Sequence, residues 1–444
     1  MITLPNDFII RMKAMLKEEA EEFLSCYNQP HFRGARLNPI KCTDEILKES
    51  LPFPVSPAPF SPLSYYIPPE SDKVGTLAMH HAGAFYSQEP SAASAVTILA
   101  PEPGDKVLDL CAAPGGKSTQ IAALLNGNGL LWSNEVVRSR AMILLSNIER
   151  TGVKNAVVSS CRPDILCERL SGFFDKVLVD APCSGEGMFR RDAQAVSDWS
   201  VEHVKACADR QLAILNSAAD AVKENGILVY STCTFSTEEN EGVVCKFLEG
   251  HKDFILESPN VSFGRPAFDL LFARRIFPMD GGEGHFVARM RRLSQNSCRT
   301  VLYVAKQTSA AKQAKSVYRE LFRNSLQSEI EQIGSNLLLL PQGIPQLNGL
   351  GVIRAGVLLG EVKTNRIEPA HALFMAAKPD ELNSVINFTE DSVQMAQFLR
   401  GEELEVEENL QGYTGVAANR IMVGFGKCSS GRLKNHYPKG LRNN

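Results

Sequence analysis

The chain of 444 residues has almost no excess charge, because 47 lysines and arginines face 50 aspartates and glutamates. A protein that binds nucleic acid through a uniformly basic surface is therefore excluded, and any such surface must be local. Long apolar runs are also missing; Leu337–Leu340 is far shorter than the roughly 20 residues of a membrane-spanning helix. The N-terminus lacks the basic segment and apolar run of a signal peptide.

The 11 cysteines show no C-x-x-C spacing, so neither a zinc site nor a disulfide framework is predicted. Neighbouring His80 and His81 have no carboxylate or cysteine at ligand spacing, and no metal is expected. Free thiols favour a reducing compartment, which predicts a cytoplasmic location. The dinucleotide fingerprint G-x-G-x-x-G is absent, and Cys111 stands where a phosphate-binding P-loop needs glycine.

The segment Val107–Lys117, VLDLCAAPGGK, joins an apolar run to a turn of small residues, and Ser118–Leu125 follows as a predicted helix. Small side chains let a ligand approach the backbone, and free N–H groups at the start of a helix face it. A strand, a small-residue turn and a helix are typical of the first cofactor-binding loop of a doubly wound sheet. An ordinary tight turn remains the alternative.

Alternating apolar strands and helices predict a mostly parallel α/β sheet with a Rossmann-like topology. After the first strand we predict strands over Leu130–Asn134, Ala156–Ser159, Lys176–Asp180, Ile227–Ser231, Phe254–Glu257 and Phe286–Met290. The predicted helices are Ser91–Leu99, Arg138–Arg150, Val201–Lys223 with a stop at Asn225-Gly226, and Ser236–Leu248 with a cap and acidic first turn over Ser236–Glu239. One amphipathic helix, capped by Asn6 or Asp7, is predicted from Phe8 to Leu24.

Several chemically useful side chains follow these strands, where parallel sheets bind ligands. Glu135 lies about 20 residues past the glycines, where an acid accepts hydrogen bonds from the ribose of a nucleoside, although an exposed carboxylate at a helix start is the alternative. Asp164 could equally contact adenine or cap a helix. Asp180, Cys183 and Cys233 follow two later strands, and a thiol becomes a nucleophile when helix N-termini or cations favour the thiolate.

The motifs CAAPGGKS, LVDAPCSGEG and YSTCTFSTEENE occur in the order found in the Nol–Nop–Sun family of RNA cytosine-5 methyltransferases, which the chain resembles over about Gln88–Arg289. The C-terminal GKCSSGRLKNHYPKGLR resembles the RsmF branch, which methylates 16S ribosomal RNA. The resemblance implies S-adenosylmethionine as cofactor and 16S RNA or the small ribosomal subunit as partner. A monomer with no membrane or metal partner is expected.

The resemblance also implies roles for single residues. Cys233 would add to C6 of cytosine, Cys183 would act as general base in product release, and Asp180 would hydrogen-bond the ring nitrogen near the cofactor. Lys117 would position substrate or cofactor. The expected cofactor-binding residues are Cys111, Ala112, Ala113, Pro114, Gly115, Gly116, Lys117, Glu135, Asp164 and Asp180.

A base inside a helix cannot present C6 to a thiol, so the target must lie in a loop or be flipped out. The RNA backbone then needs a local basic surface, for which the candidates are Arg190, Arg191, Arg274 and Arg275.

Five regions are predicted along the chain. They are an N-terminal helical or mixed RNA-binding region (1–85), the catalytic domain (86–292), a basic linker (293–325), a small mixed domain (326–390) and a PUA-like RNA-binding module (391–444). From Asn409 onward the sequence contains no acidic residue. A soluble basic tail is the alternative to the last module. A transfer-RNA methyltransferase, a non-catalytic ribosome-assembly factor and a P-loop ATPase stay open as alternatives for the whole chain.

Overall fold

The computed structural model describes residues 3–71, 73–294, 298, 300–306, 308–364 and 366–443. Positions 295–297, 299 and 307 of the predicted basic linker lie outside the described residues, as do residues 1, 2, 72, 365 and 444 of the other predicted regions. Within the part of the chain that is described, no helix combines the length and apolar character needed to cross a membrane.

The N-terminal region places helices beside a small antiparallel sheet with strand order β2-β3-β1-β4. The single amphipathic helix predicted here is wrong in two respects. The chain leaves the helix at Lys17 (φ 51°), and neither Asn6 nor Asp7 caps it, because the residue before the first turn is Pro5. The elements are α1 (Asn6–Leu16), α2 (Ala20–Ser25), β1 (Arg33–Leu37), α3 (Asp44–Ser50), β2 (Ser56–Pro57), β3 (Ser64–Ile67), α4 (Ala78–His81) and β4 (Phe85–Ser87).

The middle of the chain alternates strands and helices, as the apolar pattern predicts. Its elements are α5 (Ser94–Leu99), β5 (Lys106–Asp109), α6 (Gly116–Leu125), β6 (Leu130–Asn134), α7 (Arg138–Arg150), β7 (Ala156–Ser159), α8 (Pro163–Arg169), β8 (Phe174–Asp180), α9 (Ala193–Asp198), α10 (Val201–Ala221), β9 (Val222–Thr232), α11 (Glu241–Gly250), β10 (Phe254–Glu257), β11 (Arg265–Pro266), β12 (Arg274–Ile276) and β13 (His285–Arg292).

These strands form one large sheet whose central part, β9-β8-β5-β6-β7, is parallel, while β13 runs antiparallel to β9. The strand order reverses between β5 and β8, which creates the crevice where doubly wound sheets bind ligands. The predicted Rossmann-like fold is confirmed.

Two predicted helix boundaries in this region are wrong. Helix α10 ends at Ala221, and β9 already begins at Val222, so Asn225-Gly226 lies inside a strand with Asn225 at φ 59°. Helix α11 begins at Glu241 rather than Ser236. Residues Ser236–Glu239 instead form a turn, in which the buried side chains of Ser236 and Glu239 hydrogen-bond with residues that follow β8.

The C-terminal third contains α12 (Ser309–Leu321), β14 (Ile330–Ile333), β15 (Asn336–Leu339), β16 (Val352–Ala355), β17 (Val357–Val362), β18 (Ile367–Pro369), α13 (His371–Met375), β19 (Val385–Phe388), α14 (Val393–Arg400), β20 (Leu404–Glu405), β21 (Gly412–Ala418), β22 (Ile421–Ser429) and β23 (Arg432–Asn435). The five-stranded sheet β19-β21-β22-β23-β20 forms the last module.

Strand pairing corrects the predicted small domain 326–390 at two places. Strand β16 pairs with β7 and extends the catalytic sheet, and β19 pairs in parallel with β21 of the last module. The last module also packs against the N-terminal region, because Met79 and Phe85 share a buried cluster with Phe398 and Val416. The two ends of the chain therefore meet beside the catalytic sheet.

Candidate active site

A cleft of about 280 Å³ opens at the carboxyl edge of the parallel strands. The loops after β5, β8 and β9 and the start of β13 line it, so residues distant in sequence meet where the strand order reverses. Its lining includes Tyr86, Gln88, Glu89, Cys111, Ala112, Ala113, Pro114, Gly116, Lys117, Asp180, Arg191, Cys233, Glu283 and His285.

The predicted cofactor loop follows β5 and borders this cleft. Gly115 has φ 117°, a conformation that favours glycine, and helix α6 begins at Gly116 with its free N–H groups at this end. A Cβ on Gly116 would lie 3.0 Å from the Gln88 amide nitrogen, so a larger residue would crowd the cleft. Asn147 of α7 donates to the carbonyl of Pro114 at 2.9 Å and fixes the loop.

The two other predicted acids have different surroundings. Glu135 follows β6 with 4% of its side chain exposed, accepts the Val137 N–H at 2.9 Å and lies 3.4 Å from the Arg140 guanidinium. Neither acid is among the residues that line the cleft. Asp164 is exposed in the first turn of α8 and pairs with Arg162 at 2.7 Å. The helix-cap alternative for Asp164 is wrong, because Arg162 occupies the N-cap position and no side chain caps α8. Its contact with adenine stays a prediction.

Lys117 and Asp180 form a partly buried ion pair inside the cleft, with Nζ 2.7 Å from Oδ2. Ser231 of β9 donates to the other carboxylate oxygen at 2.7 Å. Burial alone lowers the pKa of Lys117, but the charge and hydrogen bond of Asp180 outweigh burial and raise it overall. Lys117 lies in the first turn of α6 and Asp180 is the last residue of β8, so the pair joins the loop after β5 to the end of the neighbouring strand.

The two predicted catalytic cysteines are in contact, with 3.3 Å between the sulfur atoms of Cys183 and Cys233. Cys233 is one of the residues that line the cleft, and the sulfur of Cys183 contacts the sulfur of Cys233. The hydrogen bond with Cys233 and burial together raise the pKa of the Cys183 thiol well above its usual value. Cys183 is therefore a protonated thiol at neutral pH, able to donate a hydrogen bond to a thiolate at Cys233.

A pair of buried glutamates, Glu186 and Glu239, ties the two cysteine loops together. Glu239, after Cys233, accepts the backbone N–H of Ser184 at 2.9 Å and its hydroxyl at 2.5 Å. Glu186, after Cys183, accepts the backbone N–H of Phe235 at 2.8 Å. The loop with Cys183 therefore provides the carboxylate that binds Phe235, two residues after Cys233. The loop with Cys233 provides the carboxylate that binds Ser184, next to Cys183. We call this arrangement the glutamate clamp.

The clamp was not predicted, because Glu239 resembles the acidic first turn of a helix and Glu186 resembles a surface residue between glycines. Both are buried, with 0% exposure. The signal that could have found them is their position three residues after Cys183 and six residues after Cys233, in segments rich in hydroxyl and N–H donors.

Replacing Glu239 by glutamine is expected to lower methyl transfer about 10- to 100-fold, because an amide cannot accept all the donors and the thiols lose their alignment. The change should also reduce the free energy of unfolding by about 1–3 kcal/mol. Glu238→Gln is the matched control, since the partners of the Glu238 side chain are Arg11, in a partly exposed ion pair, and the neighbouring Thr237 hydroxyl. Equal activities of the two variants would contradict the role of the clamp.

The arginines predicted to hold RNA fall into two groups. Arg190 and Arg275 are buried: Arg190 pairs with Glu283 at 3.1 Å, and Arg275 makes two bonds to Glu241 at 2.7 and 2.5 Å. Their prediction as RNA contacts is wrong, because sequence alone does not show that acidic partners lie inside the fold. Arg191 is exposed and lines the cleft, and Arg274 is partly exposed.

Metal ligation has no support in the part of the chain described, since no cluster of three histidine, cysteine, aspartate or glutamate side chains is arranged to hold an ion. His81 instead hydrogen-bonds Tyr437 at 2.6 Å and Asn443 at 2.9 Å, linking the N-terminal region to the last module.

Four family models match successive parts of the chain. They are the N-terminal domain of 16S rRNA methyltransferase RsmF (4–90), 16S rRNA methyltransferase RsmB/F (96–291), the RsmF rRNA methyltransferase first C-terminal domain (317–376) and the Methyltransferase RsmF PUA domain (386–443).

Whole-chain and structural comparisons agree with these matches. The chain is 32% identical to ribosomal RNA small subunit methyltransferase F of Vibrio vulnificus and 31% identical to that of Aliivibrio fischeri, covering 99% of this chain and 98% of each relative. Among solved structures, a methyltransferase homolog from Pyrococcus horikoshii is 27% identical with a TM-score of 0.56, covering 65% of this chain and all of that one. The structure of NSun6 from Pyrococcus horikoshii with SFG shares the fold at 23% identity and a TM-score of 0.59, covering 66% of this chain and 99% of that one.

The doubly wound sheet, the loop after β5 and the family matches together define a Rossmann-like methyltransferase of the S-adenosylmethionine-dependent class. The relatives match this chain over nearly its whole length, and four family models match it in succession, so the family within this class can be stated. The chain belongs to the RsmF family of ribosomal RNA small subunit methyltransferases, within the Nol–Nop–Sun group.

Proposed function

We propose that this protein methylates C5 of cytidine in 16S ribosomal RNA through a transient covalent bond between Cys233 and C6 of the base. The observation that carries this proposal is the 3.3 Å contact of the two sulfur atoms at the cleft beside the Lys117–Asp180 pair. One sulfur must add to C6 of the base, and the second must remove a proton so that the product is released. An acid beside the two sulfurs must stabilise the charge that develops on the ring.

The residues of the cleft fit the cofactor expected for this class. The small side chains of Cys111–Gly116 leave space beside the backbone, the start of α6 offers N–H groups to a carboxylate, and Glu135 lies at the end of the next strand. When bound, S-adenosylmethionine supplies an electrophilic methyl group. We assign its binding to Cys111–Lys117, Glu135 and Asp180, and omit Asp164 because it pairs with Arg162 outside the cleft.

In the proposed reaction, the Cys233 thiolate adds to C6, and the electron pair of the C5–C6 bond becomes available at C5 as in an enamine. Lys117 and Cys233 line the same cleft. Asp180, as the carboxylic acid, donates a hydrogen bond to the ring nitrogen and thereby stabilises the negative charge that the addition places there. C5 would then form a bond to the methyl carbon, while the carbon–sulfur bond of the cofactor would break and leave its electron pair on the sulfur.

Release of the product needs the opposite electron flow. Cys183, in contact with Cys233, removes the proton from C5 as a thiolate, the C5–C6 double bond forms again, and the Cys233 sulfur leaves C6. In the adduct the hydrogen bond between the two cysteines is lost, but burial still raises the pKa of the Cys183 thiol, so its proton must leave to solvent before it acts as the base.

We assign RNA binding to the two ends of the chain, which pack together beside the catalytic sheet. The sequence from Asn409 onward contains lysines and arginines but no aspartate or glutamate. A segment of this composition is favourable for binding phosphate groups. The expected partner is 16S RNA or the small ribosomal subunit, and the expected cytoplasmic location follows from that substrate. A monomer is proposed.

Bisulfite sequencing of total RNA from a strain that lacks this gene tests the proposal. We expect loss of one or more 5-methylcytidines from 16S RNA with transfer RNA unchanged. Loss confined to transfer RNA would favour the other RNA substrate. A non-catalytic assembly factor would be favoured by a different result. The methylation of RNA would be unchanged in the deletion strain, that strain would grow poorly, and a strain with Cys233→Ala would grow normally.

A further inference from the structure

Cys183 and Cys233 are the only cysteines in the described part of the chain whose sulfur atoms contact each other. Both are free thiols, and their sulfur atoms are 3.3 Å apart. A disulfide bond is about 2.05 Å long, so the two atoms need to approach by only about 1.3 Å to be bonded. The pair that the proposed reaction uses as two separate sulfurs is therefore also placed for oxidation to a disulfide.

Hydrogen bonds between the two loops maintain this contact. The backbone N–H of Gly187 donates to the carbonyl of Cys233 at 2.8 Å. The hydroxyls of Ser184 and Thr234, the residues that follow the two cysteines, are 2.9 Å apart. Together with the glutamate clamp, these bonds keep the two sulfur atoms close to each other. Groups that are held in contact in this way react much faster than the same groups free in solution.

Cys233 is also accessible to a small oxidant, because it lines the open cleft of about 280 Å³. Oxidation of a cysteine by peroxide depends on its exposure and thiolate character, and a second cysteine beside it determines the product. Most other cysteines are buried. Cys298 is exposed, and Cys111 and Cys245 are partly exposed, but none of them has a second sulfur in contact in the described chain. Access and a neighbouring thiol are therefore combined at Cys233.

We propose that hydrogen peroxide converts Cys183 and Cys233 to a disulfide and that a dithiol reductant restores them, so that the pair is a reversible oxidation site. The Cys233 thiolate attacks one oxygen of the peroxide, the O–O bond breaks, and Cys233 becomes a sulfenic acid while hydroxide leaves and takes up a proton. The Cys183 thiolate then attacks the sulfur of the sulfenic acid, the S–O bond breaks, and a second hydroxide leaves and is protonated to water. In total, two thiols lose two electrons and two protons, and one peroxide is reduced to two waters.

The first step makes the second one easier. In the reduced protein, the pKa of Cys183 is raised by its hydrogen bond with Cys233, by burial and by the charge of Cys233. A sulfenic acid carries no charge, and its O–H is a donor to a neighbouring thiolate. Oxidation of Cys233 therefore removes causes that oppose the thiolate form of Cys183, which is the form that closes the disulfide.

The effect on activity rests on the proposed function. A disulfide engages both the sulfur that adds to C6 and the sulfur that acts as base, so methylation stops. It also protects Cys233 from further oxidation to the sulfinic acid, which thiols do not reduce. The modification therefore inactivates the enzyme under oxidising conditions without destroying it.

Peptide mapping after treatment with hydrogen peroxide tests the proposal, with the remaining thiols alkylated in denaturant. Trypsin releases Cys183 in peptide 177–190, whereas peptide 224–246 contains both Cys233 and Cys245. Cys245→Ala, which changes a residue outside the cleft, is therefore the background for all measurements. We expect tandem mass spectrometry to find the two peptides linked through Cys183 and Cys233. The rate of methyl transfer should fall roughly 10-fold or more and return to within about twofold of the untreated rate after dithiothreitol.

Two further variants in this background identify the role of each sulfur. In Cys183→Ala, Cys233 should proceed to the sulfinic or sulfonic acid, which dithiothreitol does not reverse, because no second sulfur attacks the sulfenic acid. In Cys233→Ala, Cys183 should remain a thiol at the same peroxide dose.

Sulfinic acid on Cys233 in the protein that keeps both cysteines would overturn the proposal. Two free thiols at a peroxide dose that oxidises Cys233 in Cys183→Ala would also overturn it. A disulfide that forms completely while methyl transfer continues would establish the oxidation site and overturn the proposed function, since neither sulfur would then be free to react.

Discussion

Cys183→Ala is expected to leave the enzyme bonded to its RNA, as a complex that survives denaturing electrophoresis. The variant keeps Cys233 and the Lys117–Asp180 pair, so addition to C6 and methyl transfer proceed. It lacks the sulfur that lies 3.3 Å from Cys233 and removes the C5 proton. The adduct should accumulate to near stoichiometry with the enzyme, and turnover should fall roughly 10³-fold or more.

The pH dependence of the wild type follows from the raised pKa of Cys183. Below that pKa the fraction of thiolate rises tenfold per pH unit, so release of the adduct should accelerate as the pH rises from neutral to alkaline values. In single-turnover experiments, the wild-type adduct should be more abundant at the lower pH. In Cys183→Ala, this slope should be absent.

Cys245→Ala is the matched control for these experiments, because Cys245 lies on α11 and does not line the cleft. It should turn over normally without a stable adduct. A Cys183→Ala complex that dissociates freely in denaturant would contradict the role assigned to Cys183.

Cys233→Ala is expected to abolish methylation, with a loss of roughly 10⁴-fold or more, since it removes the sulfur that adds to C6, and the neighbouring Cys183 is not among the residues that line the cleft. The cofactor loop and Glu135 are unaffected, so affinity for S-adenosylmethionine should stay within about twofold of the wild type. Methyl transfer from labelled cofactor and calorimetry measure the two quantities. The Cys183→Ala/Cys233→Ala double variant should form no adduct, because the second substitution removes the atom that bonds to RNA.

Retention of methyl transfer by Cys233→Ala would contradict the account. Loss of cofactor binding together with activity would show instead that Cys233 is needed to maintain the cleft.

The sequence predicted the strands of the catalytic sheet and the residues that follow them. Leu130–Asn134 and Ala156–Ser159 are strands as predicted, and Cys183 and Cys233 follow neighbouring parallel strands, so their meeting follows from the fold. The short apolar runs contain this information because parallel strands of this kind are buried on both faces.

Burial among residues distant in sequence could not be predicted. Arg275 looked like a surface cation, but Glu241 and the rings around it enclose its side chain. Glu239 looked like a residue of the first helical turn, yet it holds Ser184. Strand β16 joined the catalytic sheet because it pairs with β7, and nothing in its own residues distinguishes that partner from a strand of the small domain.

The most direct test of the covalent mechanism is to digest the trapped Cys183→Ala complex with nuclease and protease and to sequence the linked peptide by tandem mass spectrometry. The account predicts one nucleotide on the peptide that contains Cys233, bonded through its sulfur and carrying the transferred methyl group on the pyrimidine. A nucleotide linked to a different residue, or methylated RNA with no nucleotide on Cys233, would contradict it.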